Sequence, residues 1–217
     1  VQKFLATKGS VSIVEFADGT KVWLNSGSRL TYREDHKTKE RQAELTGEAY
    51  FEVTHREDFP LLVKVGQIVV RDLGTTFNIK AYAEAETIET SLVEGKAEIL
   101  NEKGNSLVEL KPGENAVYSA RNGKIKIEST ESNVLSAWRD GKFVIRNQRL
   151  EDIFIELSRW YDIEFRIENQ SLRDYRYTGN IRKSTTAHQV LKMLKLTTNF
   201  NYRIVEKPTE KDVIIIF

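Results

Sequence analysis

Between about Val11 and Ile127, short runs of Val, Ile, Leu, Thr and aromatic residues are cut by polar turns, the pattern of successive strands. Lys21-Val22-Trp23-Leu24 follows period two, as does Ser106-Leu107-Val108-Glu109-Leu110 once its double apolar step is allowed, which predicts strands with one face in solvent. Leu61-Leu62-Val63-Lys64-Val65 is almost continuously apolar and predicts a more deeply buried strand. The breaks carry Asp18-Gly19, Gly66-Gln67, Glu94-Gly95, Lys103-Gly104 and Asn122-Gly123, where glycine can supply the positive φ of a tight turn. No stretch here sustains a helical period, so residues 1–135 are predicted to form an all-β domain, a β-sandwich or β-roll.

Near Trp138 the pattern changes. A strand at Lys142-Phe143-Val144-Ile145-Arg146 leads into Leu150, Ile153, Phe154, Leu157, Trp160 and Tyr161, whose spacing places them on one helix face, and Ile163 to Ile167 follows as a strand. The same order recurs as Tyr175 to Thr178, then Ala187, Val190, Leu191 and Leu194, then Phe200 to Ile204. The second helix opens on Thr186 with Gln189 three residues on, a capping box. Val213 to Phe217 adds a last apolar strand. Residues 136–217 are thus predicted to be a small βαβ-repeat domain, and the fold class is mainly β plus α/β.

Composition narrows the function. Of 217 residues, 40% are hydrophobic and 30% charged, enough for a core under a solvated surface. Lys and Arg number 33 against 32 Asp and Glu, so net charge supplies no argument for a nucleic-acid partner. The excess is uneven: beyond Gly141 there are 14 Lys and Arg against 10 Asp and Glu, which suits an acidic protein surface as partner. No cysteine is present, which excludes disulfides and thiolate chemistry. No apolar run is long enough for a membrane helix and no signal-peptide pattern opens the chain, so any anchor or targeting segment is expected outside these residues.

Catalytic patterns are missing as well. Gly95-Lys96 lacks the upstream glycine of a phosphate loop and reads as a hairpin turn. His36, His55 and His188 lie far apart and read as surface or loop residues; no metal and no cofactor is implied. Glu48 and Glu52 share a strand face but stand about 13 Å apart at a rise of about 3.3 Å per residue, too far for a glycosidase pair, and read as solvent-face charges. Trp23, Trp138, Trp160 and the tyrosines keep a glycan-binding module, accessory to polysaccharide uptake, as the alternative.

Five segments resemble the periplasmic part of a FecR-type anti-sigma factor in its Bacteroidetes form. They are Asp18-Gly19-Thr20-Lys21-Val22-Trp23-Leu24-Asn25-Ser26-Gly27-Ser28, Gly47-Glu48-Ala49-Tyr50-Phe51-Glu52-Val53, Leu73-Gly74-Thr75-Thr76-Phe77-Asn78, Val93-Glu94-Gly95-Lys96 and Leu110-Lys111-Pro112-Gly113-Glu114. The resemblance continues through Ala137-Trp138-Arg139-Asp140-Gly141-Lys142-Phe143 into the repeat, which is similar to the short N-terminal domain of secretins and TonB-linked proteins. It implies a regulator and not an enzyme, on the periplasmic face of the inner membrane, anchored by a single transmembrane helix. The implied partners are the N-terminal signalling domain of a TonB-dependent (SusC-like) outer-membrane transporter and, through a cytoplasmic domain, an ECF sigma factor. Some relatives cut themselves at a Gly-Thr bond in this domain. Gly74 and Thr75 hold the matching positions, where Thr75 would attack the Gly74 carbonyl, although the sequence displays no base nearby and an ordinary turn is the expectation.

Overall fold

A computed structural model describes residues 1–207 and 210–217, with the backbone alone of residues 132 and 133. Contacts divide the chain into two compact units, Val1–Ser136 and Ala137–Phe217. Each has its own apolar core.

The N-terminal unit holds thirteen strands and one short helix. The strands are β1 (Gln2–Leu5), β2 (Ser12–Glu15), β3 (Lys21–Leu24), β4 (Arg29–Asp35), β5 (Glu40–Glu52), β6 (Leu61–Val65), β7 (Ile68–Asp72), β8 (Thr76–Ala81), β9 (Thr87–Glu94), β10 (Ala97–Asn101), β11 (Ser106–Leu110), β12 (Glu114–Ser119) and β13 (Ile125–Ser129); α1 (Ser132–Ser136) closes the unit. β5 carries the architecture. Its first half pairs with β4 and, in parallel, with β6, while its second half pairs with β3 and β8. One continuous strand therefore belongs to two layers, β1-β4-β5-β6-β7-β10-β11 and β2-β3-β5-β8-β9-β12-β13, and the sheet curls upon itself.

Inward side chains of both layers make one core. Leu30, Leu45, Leu61, Val63, Val70 and Ile99 from the first meet Val22, Leu24, Phe51, Phe77, Ile79 and Leu92 from the second. Phe51 and Phe77 stack with centroids 4.8 Å apart. Burying each such side chain contributes about 1.5–3 kcal/mol. The five predicted turn glycines all adopt positive φ. β6 differs from its predicted continuous burial: Leu61, Val63 and Val65 are buried, but Leu62 is half-buried and Lys64 exposed, because only one face of this layer meets the core.

At Gly47 the close approach of two strands explains the residue. Its φ is +104°, and a Cβ built there would lie 2.7 Å from Ser28 Cα, a backbone atom. The space is used instead by the Ser28 hydroxyl, which accepts from the Glu48 N–H at 2.8 Å.

The C-terminal unit contains β14 (Lys142–Arg149), α2 (Leu150–Tyr161), β15 (Glu164–Ile167), β16 (Arg176–Arg182), α3 (Ala187–Lys195), β17 (Tyr202–Val205) and β18 (Val213–Ile216). Both helices turn their predicted apolar faces to the core, and the capping box at Thr186 and Gln189 is formed. The two strand-helix-strand units do not pair their own strands. Their first strands pair with each other as the antiparallel ribbon β14–β16, while their second strands flank the buried β18 in the order β15-β18-β17. The duplication is thus assembled crosswise, each helix connecting one sheet to the other.

Candidate functional site

Three of the segments singled out in the sequence contribute to two buried polar clusters of the N-terminal unit. In the first, Glu48 on β5 accepts from Asn25 Nδ2 at 2.7 Å and from Asn78 Nδ2 at 3.0 Å. Asn25 also accepts from the Ser26 N–H, and the Tyr82 hydroxyl donates to the Ser26 carbonyl. Three of the five segments therefore meet at one carboxylate. Glu48 is only 9% exposed, which corrects its reading as a solvent-face charge. The period-two pattern could not reveal this, since it assigns Glu48 to the outer face without telling what covers that face. Glu52 is half-buried.

The second cluster surrounds Arg41, whose side chain is fully buried. Its Nη1 donates to Asp18 at 2.6 Å, to the Thr54 carbonyl at 3.1 Å and to Thr20 at 3.3 Å, and its Nε donates to the Phe59 carbonyl at 2.9 Å. Burial pushes the Asp18 carboxyl upward, but the Thr20 N–H and the Arg41 guanidinium outweigh it and hold the group below the usual carboxylate range. The β2–β3 turn is thereby tied to the segment joining β5 to β6.

Gly74 and Thr75 form the turn between β7 and β8, where a carboxylate stands beside the Thr75 hydroxyl. The Thr75 hydroxyl donates to Asp72, a fully buried carboxylate. Burial raises the Asp72 pKa to about 6, against the opposing pull of the Thr75 hydroxyl, Arg41 and the Gly74 and Thr75 amides. Folding thus retains a proton on Asp72 that the unfolded chain would release, so this group's contribution to stability is fully present below pH 3.8 and is lost as pH rises through about 6. Asp72 Oδ2 and Arg41 Nη2 have no hydrogen-bond partner among the described residues. A Cβ at Gly74, where φ is +146°, would lie 2.3 Å from His55 Cα, and one at Gly95 would lie 2.5 Å from Thr75 Cγ2. The turn is packed on both sides. Its sequence signal was the Asp two residues before the Gly, a common way for a side chain to cap its own turn.

The remaining candidates do not converge. His36 and His55 are exposed on loops, and His188 bonds the Tyr202 hydroxyl at 2.9 Å. Gly95-Lys96 is the β9–β10 turn. Among the described residues no group of three or more His, Cys, Asp and Glu is placed to hold a metal ion. Trp23 packs edge-on against Tyr50 in the N-terminal unit, while Trp138 and Trp160, each 7% exposed, lie in the other unit; the tryptophans form no exposed platform for a sugar.

The architecture is shared with a regulator of known structure. Two crystal structures of a candidate anti-sigma factor from Parabacteroides distasonis superimpose on the chain. The 1.65 Å structure does so with a TM-score of 0.86 and 26% identity over 100% of this chain and 99% of that one. The 2.50 Å structure gives 0.84 and 27% over 99% and 98%. The chain belongs to the FecR family: the family profile described as FecR protein matches residues 3–98, and that described as FecR, C-terminal matches residues 142–216. No curated protein matches the sequence.

Proposed function

We propose that this chain is the periplasmic sensing and relay region of an anti-sigma factor, a regulator that couples a TonB-dependent outer-membrane transporter to an ECF sigma factor. The observation that supports it most is the pair of family matches, one in each structural unit, on a chain whose whole length superimposes on a candidate anti-sigma factor. In this reading a membrane helix and a sigma-binding domain belong to further parts of the protein; among the described residues no helix is long and apolar enough to cross a membrane. The C-terminal unit is the docking module, because its two small sheets leave strand edges open for another polypeptide. The N-terminal unit passes the signal on.

A panel of purified N-terminal extensions from the TonB-dependent transporters of the source organism tests this reading. One member is expected to capture the full chain and to lose it when residues 141–217 are deleted. Equal capture by the shortened chain, or capture by no member, overturns the reading.

A second reading concerns Gly74–Thr75 and is favoured by the hydrogen bond from the Thr75 hydroxyl to a buried carboxylate with raised pKa. Asp72 takes the hydroxyl proton as Thr75 Oγ1 attacks the Gly74 carbonyl carbon. The Gly74–Thr75 C–N bond breaks, the Thr75 nitrogen takes up a proton, and water hydrolyses the resulting ester. Mass spectrometry after long incubation is expected to detect a fragment beginning at Thr75, formed faster as pH rises through about 6 and Asp72 ionises. It should disappear in Thr75→Ala and slow at least about tenfold in Asp72→Asn. An intact chain at pH 8 rejects this reading and leaves Asp72 as the cap of an ordinary turn.

A further inference from the structure

We infer that the outer face of the β14–β16 ribbon receives an acidic, extended segment of a partner protein, laid along the open edge of β16. The inference rests on the docking role proposed for the C-terminal unit and assigns that role a surface and a chemistry.

The ribbon has one apolar and one cationic face. Phe143, Ile145 and Ile181 point into the core, so their neighbours along each strand point outward. The register pairs Lys142 with Arg182 and Val144 with Asn180, then shifts at a bulge; Arg146 lies in the bulge and Arg176 at the far end. Lys142, Arg146, Arg176 and Arg182 are all exposed. None of the four has an ion-pair partner among the described residues; Arg176 donates to the Asn147 carbonyl at 2.6 Å and Arg146 to the Ile145 carbonyl at 3.2 Å. Elsewhere in the same unit several cations find carboxylates: Arg166 with Glu164 at 2.7 Å, Lys211 with Asp162 at 2.6 Å and Lys207 with Glu210 at 2.6 Å. At the end of the ribbon itself, Arg149 is neutralised by Glu151 and Asp174. Lys183, Lys192 and Lys195 also lack an ion-pair partner among the described residues, but the ribbon gathers four such cations on one face.

A backbone feature makes a polypeptide the fitting occupant. The Lys183 N–H donates to the Gly141 carbonyl at 2.8 Å, so in the antiparallel alternation the bonded rungs fall on Ile181 and Gly179. The N–H and C=O of Asn180 and the N–H of Arg182 then face the open side of β16, since the sheet has only two strands. Arg176 to Arg182 spans about 20 Å, enough for a strand of six or seven residues. Lipid headgroups or nucleic-acid phosphates could use the charges alone, whereas a strand bearing Asp or Glu uses both the charges and the ladder.

The test employs whichever transporter extension captures the full chain. Lys142→Glu, Arg176→Glu and Arg182→Glu together, all at exposed positions, are expected to weaken capture at least about tenfold at low salt and to flatten its dependence on salt. Asn180→Pro removes an outward N–H that the ribbon does not use, and should weaken capture while leaving the circular-dichroism spectrum unchanged. If deletion of residues 141–217 abolishes capture but neither variant affects it, this assignment fails and the docking role stands; if deletion also has no effect, both fail. Vesicles containing phosphatidylglycerol serve as the competing arm. Binding of the wild-type chain to them, lost on charge reversal while transporter capture is kept, assigns the patch to a membrane surface and overturns the inference.

Discussion

Arg41→Ala should destabilise the N-terminal unit by about 3–5 kcal/mol, the usual range for breaking a buried ion pair from one side. The guanidinium carries no exposed area and donates to Asp18, Thr20 and two backbone carbonyls. Truncation leaves the Asp18 carboxylate, whose side chain is only 7% exposed, and the carbonyls of Thr54 and Phe59 without that donor. It also withdraws the positive charge that favours ionised Asp72, so the variant should lose further stability as pH rises through neutrality. Urea unfolding followed by fluorescence in a chain carrying Trp138→Phe and Trp160→Phe, where Trp23 is the remaining tryptophan, separates the effect from the C-terminal unit, and a loss under about 1 kcal/mol would contradict the geometry. Asp18→Asn combined with Arg41→Met should cost less than the sum of the single changes, because the Arg41–Asp18 pair is then removed from both sides and leaves no unpaired carboxylate at position 18.

Gly47→Ala is the second large effect, about 3–5 kcal/mol, with the melting transition of the N-terminal unit falling by roughly 10–20 °C and that of the C-terminal unit unchanged. Two costs combine here. Positive φ at +104° penalises any side chain, and the new methyl would meet the Ser28 backbone at 2.7 Å, an atom that cannot rotate away. Relief would require Ser28 to retreat from β5, breaking its bond to the Glu48 N–H. Calorimetry on the full chain checks both halves of the expectation. A single transition shifted as a whole would mean that the two units do not melt independently.

Much of this was legible in the chain. Period two in Lys21–Leu24, glycine at the turns and the three- and four-residue spacing from Leu150 to Trp160 each act over a few residues, where local sterics and burial of one face dominate. The capping box at Thr186 is likewise a local bond between neighbours and formed as read. The polar clusters were not legible. Asn25, Glu48 and Asn78 each sit in a recognisable segment, yet nothing in any segment says that the three share a carboxylate. Arg41 bears no mark of burial, since charged residues on strands are usually exposed. Asp72 stood three residues before Thr75, but whether its carboxyl points at that hydroxyl depends on the turn geometry that β7 and β8 impose.

By itself, the sequence determined the kinds of elements, their order and the change from strands to a doubled strand-helix-strand pattern, because these follow from interactions between residues close along the chain. Only the tertiary structure decided that β5 serves two layers, that the repeat pairs its strands crosswise, and that Lys142, Arg146, Arg176 and Arg182 gather on one face without carboxylates. Those outcomes rest on pairings between segments tens of residues apart, which are selected by the burial and hydrogen bonding of the whole unit and leave no local periodicity to read.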